Sequence, residues 1–269
     1  MRKMKRTTTV VIALLLPGLL QAAEPTSAHR KTIKEAEVLG RAIYEQDLAA
    51  ARASDALLAA TAPEGRSGVV GWVVTGSPDT PLVQFIGKQD DTYVTLYDVM
   101  LRGEKPPEVT HLAPARELRG RDLGMFLARQ VALAAKPGSC SEHYNTVVLP
   151  NKRGDRKGWL VYLLAGTTDQ HAVLVGGHYR ATVSADGKTL VSIEPLSKSC
   201  LVLSTETKAG GSLEALVMSH VLTDTPLETH VYLNLIHNID FYVITEPGIW
   251  GITDGSIRYA GPRPASEGE

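Results

Sequence analysis

The stretch HYRATVSADGKTLVSIEPL, residues 178–196, sets the architecture. Two runs rich in β-branched residues flank Asp186-Gly187, a dipeptide that tolerates the positive φ angles of a type I′ turn, so the segment reads as an antiparallel hairpin. Outward from it the same character persists. NTVVLP, GWLVYLLAG, HAVLVG, CLVL, LEALVMSHVLT, ETHVYLNLI, IDFYVIT and IWGIT, all between residues 145 and 253, are predicted strands, and Asp254-Gly255 marks a further turn.

The N-terminal half is different. SAHRKTIKEAEVLGRAIYEQDLAAARASDALLAA is rich in helix formers, with Ser27 placed to cap it and Ile33, Ala36, Leu39, Ile43 and Tyr44 at helical spacing. GVVGWVVTG, PLVQFIG and DTYVTLYDVMLR then predict a three-strand meander, followed by a proline-bearing connection. A second helix, about 122–135, carries Leu123, Phe126, Leu127, Val131 and Ala134 on one face, and Pro137 and Gly138 stop it. Strands and helices segregate and no βαβ alternation is visible. The expected class is α+β, a largely antiparallel body with two main helices, about 28–60 and 122–135, and one disulfide. Four segments are expected: 1–23 a signal peptide, 24–138 helix, meander and helix, 139–260 a β-rich region packed with it, and 261–269 a disordered tail.

MRKMKR, an apolar stretch broken by Pro17-Gly18 and the exit QAAEP form a signal-peptide pattern with cleavage after Ala22 or Ala23. The apolar stretch falls short of the ~20 residues a membrane-spanning helix needs. Cleavage removes four cations and no acids, leaving 24 basic against 29 acidic residues. A mildly acidic chain without a basic run argues against a nucleic-acid partner, because such binding depends on clustered Lys and Arg.

The chain has two cysteines, and an exported chain with an even count is expected to pair Cys140 with Cys200. The rival reading makes Cys140 a nucleophile beside His143. Zinc-site spacings such as H-E-x-x-H and C-x-x-C are absent, and no cofactor is expected. One constellation stands out. If the strands flanking TDTPL form a hairpin, His220 falls opposite His230, about 5 Å away, on a face shared with Glu228 and Tyr232. Gly176-Gly177 before His178 and Arg180 either cradle a ligand or mark a tight corner. The candidate polar site is therefore His178, Arg180, His220, Glu228, His230 and Tyr232, read either as a metal-assisted centre or as the polar face of a half-exposed sheet. NKRGDRKG, residues 151–158, reads as a soluble hairpin tip.

GGHYRATVSADGKTLVSIEPL resembles the repeated hairpin of small secreted PepSY-type and cystatin-like modules, which implies an antiparallel hairpin and assigns no site residue. No serine-hydrolase elbow or phosphate loop is present. The expected function is an exported binding module, of inhibitor or immunity type, whose partner is a protein or an envelope ligand. An exported hydrolase drawing on His178, His220 and His230 is the alternative, and a structural envelope component the third. A binding module predicts an exposed apolar patch, and an enzyme predicts polar groups converging in a pocket.

Overall fold

A computed structural model of the protein describes residues 25–135, 138, 140–152, 157–206 and 213–263. The expected signal peptide, the Arg-Gly-Asp tripeptide at 153–155 and residues 264–269 of the expected tail lie outside them.

Helix α1, Ser27–Ala60, is about 51 Å long at 1.5 Å per residue. Its cap is Thr26 rather than Ser27. The Thr26 hydroxyl accepts from the His29 N–H at 3.2 Å, and the Thr26 N–H donates to His29 Nδ1 at 3.4 Å, a reciprocal box with an imidazole in the usual carboxylate's place. Ala36, Gly40 and Ile43 face one core, while Ala49, Ala50, Ala53 and Leu57 carry the buried stripe onto another.

The second of those cores lies on the first sheet. Strands β1 (Val69–Ser77), β2 (Thr80–Gln89), β3 (Thr92–Met100) and β4 (Glu108–Glu117) form an antiparallel meander in chain order. The fourth strand corrects the expected proline-bearing connection. β4 is an edge strand, and its register on β3 jumps between Thr95↔Arg116 and Tyr97↔His111, so Pro114 falls in the irregular stretch and no ladder bond needs its missing N–H.

Helix α2, Gly120–Ala134, is wedged between the first sheet and the second. Burial on two sides changes the expected face. Gly124, Met125, Phe126, Ala128, Arg129 and Ala132 are buried, whereas Ala134 is exposed.

The second sheet contains β5 (His143–Pro150), β6 (Gly158–Gly166), β8 (Tyr179–Ser184) and β9 (Leu190–Pro195), antiparallel in the order β5-β6-β8-β9. It is the middle layer. Trp159, Val161 and Leu163 of β6 point to α2, and Leu160, Tyr162 and Leu164 point to α1, which explains the uninterrupted apolar run of that strand. The intervening β7 (Ala172–Leu174) pairs with β10 (Val202–Ser204). Cys140 and Cys200 are bridged beside them, with a Cα–Cα distance of 5.4 Å.

The last segment departs most from expectation. ETHVYLNLI is helix α3, Glu228–His237, not a strand. Strand β11 (Ala215–Ser219) pairs in parallel with β12 (Asp240–Ile244), and α3 is the crossover that a parallel pair requires. Among the described residues one βαβ unit therefore stands in an otherwise antiparallel body. β13 (Ile249–Thr253) and β14 (Ser256–Gly261) complete the third sheet, so Gly261 ends a strand and does not begin the tail. The turn between them has φ of 48° at Asp254 and 69° at Gly255, the type I′ pattern. At Asp186-Gly187 only Gly187 is left-handed, φ 76°, and its N–H closes the turn on the Ser184 carbonyl at 3.0 Å. That turn is not type I′. Among the described residues no helix is long and apolar enough to cross a membrane.

Helices α1 and α3 touch at Gly40. A Cβ there would lie 2.5 Å from Val231 Cβ and 2.7 Å from the Glu228 carbonyl oxygen. Gly40→Ala gains about 1 kcal/mol of helix propensity but overpacks against backbone, which costs about 1–3 kcal/mol or more. A net loss is expected, read as a lower urea midpoint, and an unchanged or raised midpoint would contradict the packing. The Cys140→Ser, Cys200→Ser double variant opens a loop of sequence separation 60 and should lose roughly 4 kcal/mol in the same assay.

Candidate functional site

His178 precedes β8 and is 1% exposed. Its Nδ1 accepts the Ala165 N–H at 3.0 Å, so in the neutral ring Nε2 carries the proton, and that atom donates to the Leu174 carbonyl at 2.9 Å. Burial pushes its pKa down to about 4. Both ring nitrogens are thus committed to backbone.

Arg180, next on the same face of the hairpin, reaches α3. It forms ion pairs with Glu194, at 2.8 Å, and with Glu228, and Glu228 also accepts the Tyr162 hydroxyl at 2.8 Å. Burial works against the Arg180 charge. Glu228, Tyr162 and Glu194 together more than offset it, and the guanidinium is held above its ordinary value.

His220 and His230 do meet, with ring centroids 4.9 Å apart, edge to face. The route differs from the expected hairpin register. His220 follows β11, and His230 is the third residue of α3, where its Nδ1 accepts the Leu227 N–H at 2.9 Å and so caps the helix. His220 Nε2 bonds the Thr223 hydroxyl at 2.9 Å, which itself donates to the Thr225 carbonyl. Burial lowers the pKa of both rings, and at His230 the nearby His220 and His178 lower it further. Tyr232 points the other way and donates to Asp47 at 2.9 Å. Burial and then Asp47 raise its pKa, and burial raises that of Asp47.

Three of the six predicted residues, Glu228, His230 and Tyr232, therefore belong to α3, and Arg180, His220 and His178 stand beside it in the interior. Among the described residues no three of His, Cys, Asp and Glu stand so as to hold a metal. A polar cavity of about 280 Å³ borders His220 at the carboxyl ends of β11 and β12, with Thr223, Asp224 and Glu246 on its walls. His178 and Glu228 are sealed from solvent, at 1% and 2% exposure.

Cys140 is bridged, which removes the nucleophile reading, and His143 is exposed at the start of β5. The paired glycines resolve into a tight corner. A Cβ at Gly176 would lie 2.0 Å from the Ser199 carbonyl oxygen, and one at Gly177, where φ is 88°, 2.3 Å from Cys140 Cβ. They seat the disulfide.

An open feature lies elsewhere. A groove of about 950 Å³ separates α1 from β5, the edge strand of the second sheet. Val38, 57% exposed, with Leu39, Ala42, Leu149 and Leu160, lines its length, and Lys31, Lys34, Glu35 and Lys152 line the remainder. Asn145 hydrogen-bonds Asp47 while Leu149 shares the groove with residues 38–42, so β5 runs antiparallel to α1. Lys152, just beyond β5, thereby joins the end holding Lys31 and Lys34. Val38 lies off the helical stripe that the sequence displays and Lys152 sits in a hairpin tip, so no local pattern links them.

No family model matches this chain, and neither a curated protein nor a solved structure matches it.

The buried imidazoles predict an acid-sensitive fold. His178 titrates near 6.5 when unfolded and near 4 when folded, so the unfolded chain takes up the proton first as pH falls. Its stability contribution is complete above pH 6.5 and is lost towards pH 4, a change of roughly 3 kcal/mol. His178→Gln keeps an acceptor and a donor without the titration. Urea denaturation across that window should show a correspondingly smaller loss in the variant, and identical pH profiles would rule out the buried neutral imidazole.

Proposed function

We propose that this chain is an exported binding protein whose ligand is an anionic amphiphile lying in the α1–β5 groove. The observation that carries this reading is the segregation along the groove. Three lysines and one glutamate stand at one end, and an apolar wall extends from Val38 to Ala42 and across Leu149 and Leu160. An apolar body desolvated against that wall gains roughly 25 cal/mol per Å², and an anionic head is attracted to the lysines. The volume falls within the range of small-molecule sites. Export rests on the cationic, apolar and small-residue start of the chain, and the disulfide fits an oxidising compartment. The hydrolase alternative finds less support, because both nitrogens of His178, Nε2 of His220 and Nδ1 of His230 are bonded to backbone or hydroxyl partners.

Calorimetric titration with dodecanoate below its micelle concentration, beside dodecylamine and dodecanol, tests the proposal. Dodecanoate should bind at least tenfold more tightly than the amine. Lys31→Glu with Lys34→Glu should reverse that order, and Val38→Ser should weaken all three. Equal binding of the three head groups, or no binding, would overturn it. Tighter binding of an acidic amphipathic helical peptide than of dodecanoate would also overturn it, in favour of a protein partner.

A further inference from the structure

Arg129 is an unusual residue for a helix face that packs between two sheets. It is 8% exposed, and its contacts are a hydrogen bond from Nε to the Thr146 hydroxyl at 2.7 Å and the face of Trp72, whose ring centroid lies 4.5 Å from Cζ. A guanidinium has five N–H donors, and that hydrogen bond uses one. No ion pair with a carboxylate satisfies the charge among the described residues. Buried charges are ordinarily paired, because desolvation is otherwise uncompensated. The cost is visible in its acidity: burial alone pulls the Arg129 pKa down to about 10.

The surroundings are shaped around this cation. A Cβ at Gly71 would come within 2.8 Å of Nη1, so the strand gives way where the guanidinium passes. Arg129 then forms part of the wall of a cavity of about 370 Å³ between the C-terminal part of α1 and β1. Leu58 and Val70, 52% and 49% exposed, stand at its mouth, and Trp72 and Phe85 line its side. Arg66 supplies a second cation, held by a bond from Nη1 to the Thr61 carbonyl at 2.6 Å. Among the described residues no acidic side chain lines the cavity. Two cations and an apolar wall, in a chain that is acidic overall once the expected signal peptide is removed, ask for a ligand with one negative group and a compact hydrophobic body.

We propose that the Arg129 cavity is a binding site for a small organic anion, a carboxylate on an aromatic or short aliphatic body, whose charged group meets the Arg129 guanidinium and whose body packs against Trp72 and Leu58. It is a different site from the amphiphile groove. The two lie about 18 Å or more apart along α1, at residues 54–58 and 31–42.

The Trp72 indole N–H resonance, assigned by its loss in Trp72→Phe, reports binding directly. Titrated with 4-phenylbutanoate, it should shift saturably. 4-Phenylbutanol and 4-phenylbutylamine should bind at least tenfold more weakly. Arg129→Met should abolish the preference for the acid. Arg66→Gln, a change at a partly exposed residue that leaves the core intact, should weaken acid binding between twofold and tenfold without altering the melting temperature. If Arg129→Met does not fold, the head-group series and Arg66→Gln decide the matter. Absence of a saturable shift, equal binding of acid and alcohol, or acid binding unchanged in Arg66→Gln would each overturn the proposal and leave Arg129 a cation–π staple between α2 and β1.

Discussion

The ion pair between Arg180 and Glu228 holds the interior together. Glu228 opens α3, where the positive end of the helix dipole favours a carboxylate, yet at 2% exposure it has no access to water. An unmatched charge at that depth would cost several kcal/mol. Arg180 of the second sheet matches it, Tyr162 adds a hydrogen bond, and Glu194 fixes the far side of the guanidinium. With its first turn secured, α3 can insert Val231 and Leu233 beneath α1 and complete the crossover from β11 to β12. The third sheet, the α1–α3 contact and the His220–His230 pair all follow from that placement.

Histidine, arginine, glutamate and tyrosine gathered in one region resemble a catalytic centre when counted by residue type. Their free valences distinguish them from one. His178 and His230 each spend a ring nitrogen on a backbone N–H, His220 bonds a hydroxyl, and Glu228 is taken by two partners. Such groups specify geometry and leave little capacity for substrate. Two places along α1 differ: exposed Val38 borders lysines, and buried Arg129 has no carboxylate partner among the described residues.

The features legible in the sequence are those with local causes. The Asp-Gly turns, the helical stripe from Ile33 to Tyr44 and the cysteine pairing each depend on few residues or on compartment. Where distant neighbours decide the conformation, the local pattern misleads. Val231, Tyr232, Leu233, Asn234 and Leu235 alternate like a strand, but burial on all sides lets a helix carry the same residues; Pro226 before them and Asn238 after, left-handed at φ 52°, were the punctuation that favoured it. Prolines disguised β4, because an irregular edge tolerates them. Arg129 gives no sign of burial in the sequence, since nothing local reveals that two sheets close over one helix.

Helix α1 has a consequence for the order of events when the chain is delivered N-terminus first. Its side chains bond partners far downstream: Asp47 to Tyr232, 185 positions on, and Glu37 to the Ile257 N–H, 220 positions on. The N-terminal half of this helix therefore waits for chain far downstream, whereas its C-terminal half packs on β1–β3, which follow it directly. Ala36 and Ile43 stay unshielded until the third sheet is made, so closure of that core is a late step of high contact order. A chain built this way can complete one half of its first helix early and leaves the other half open until its last strands are made.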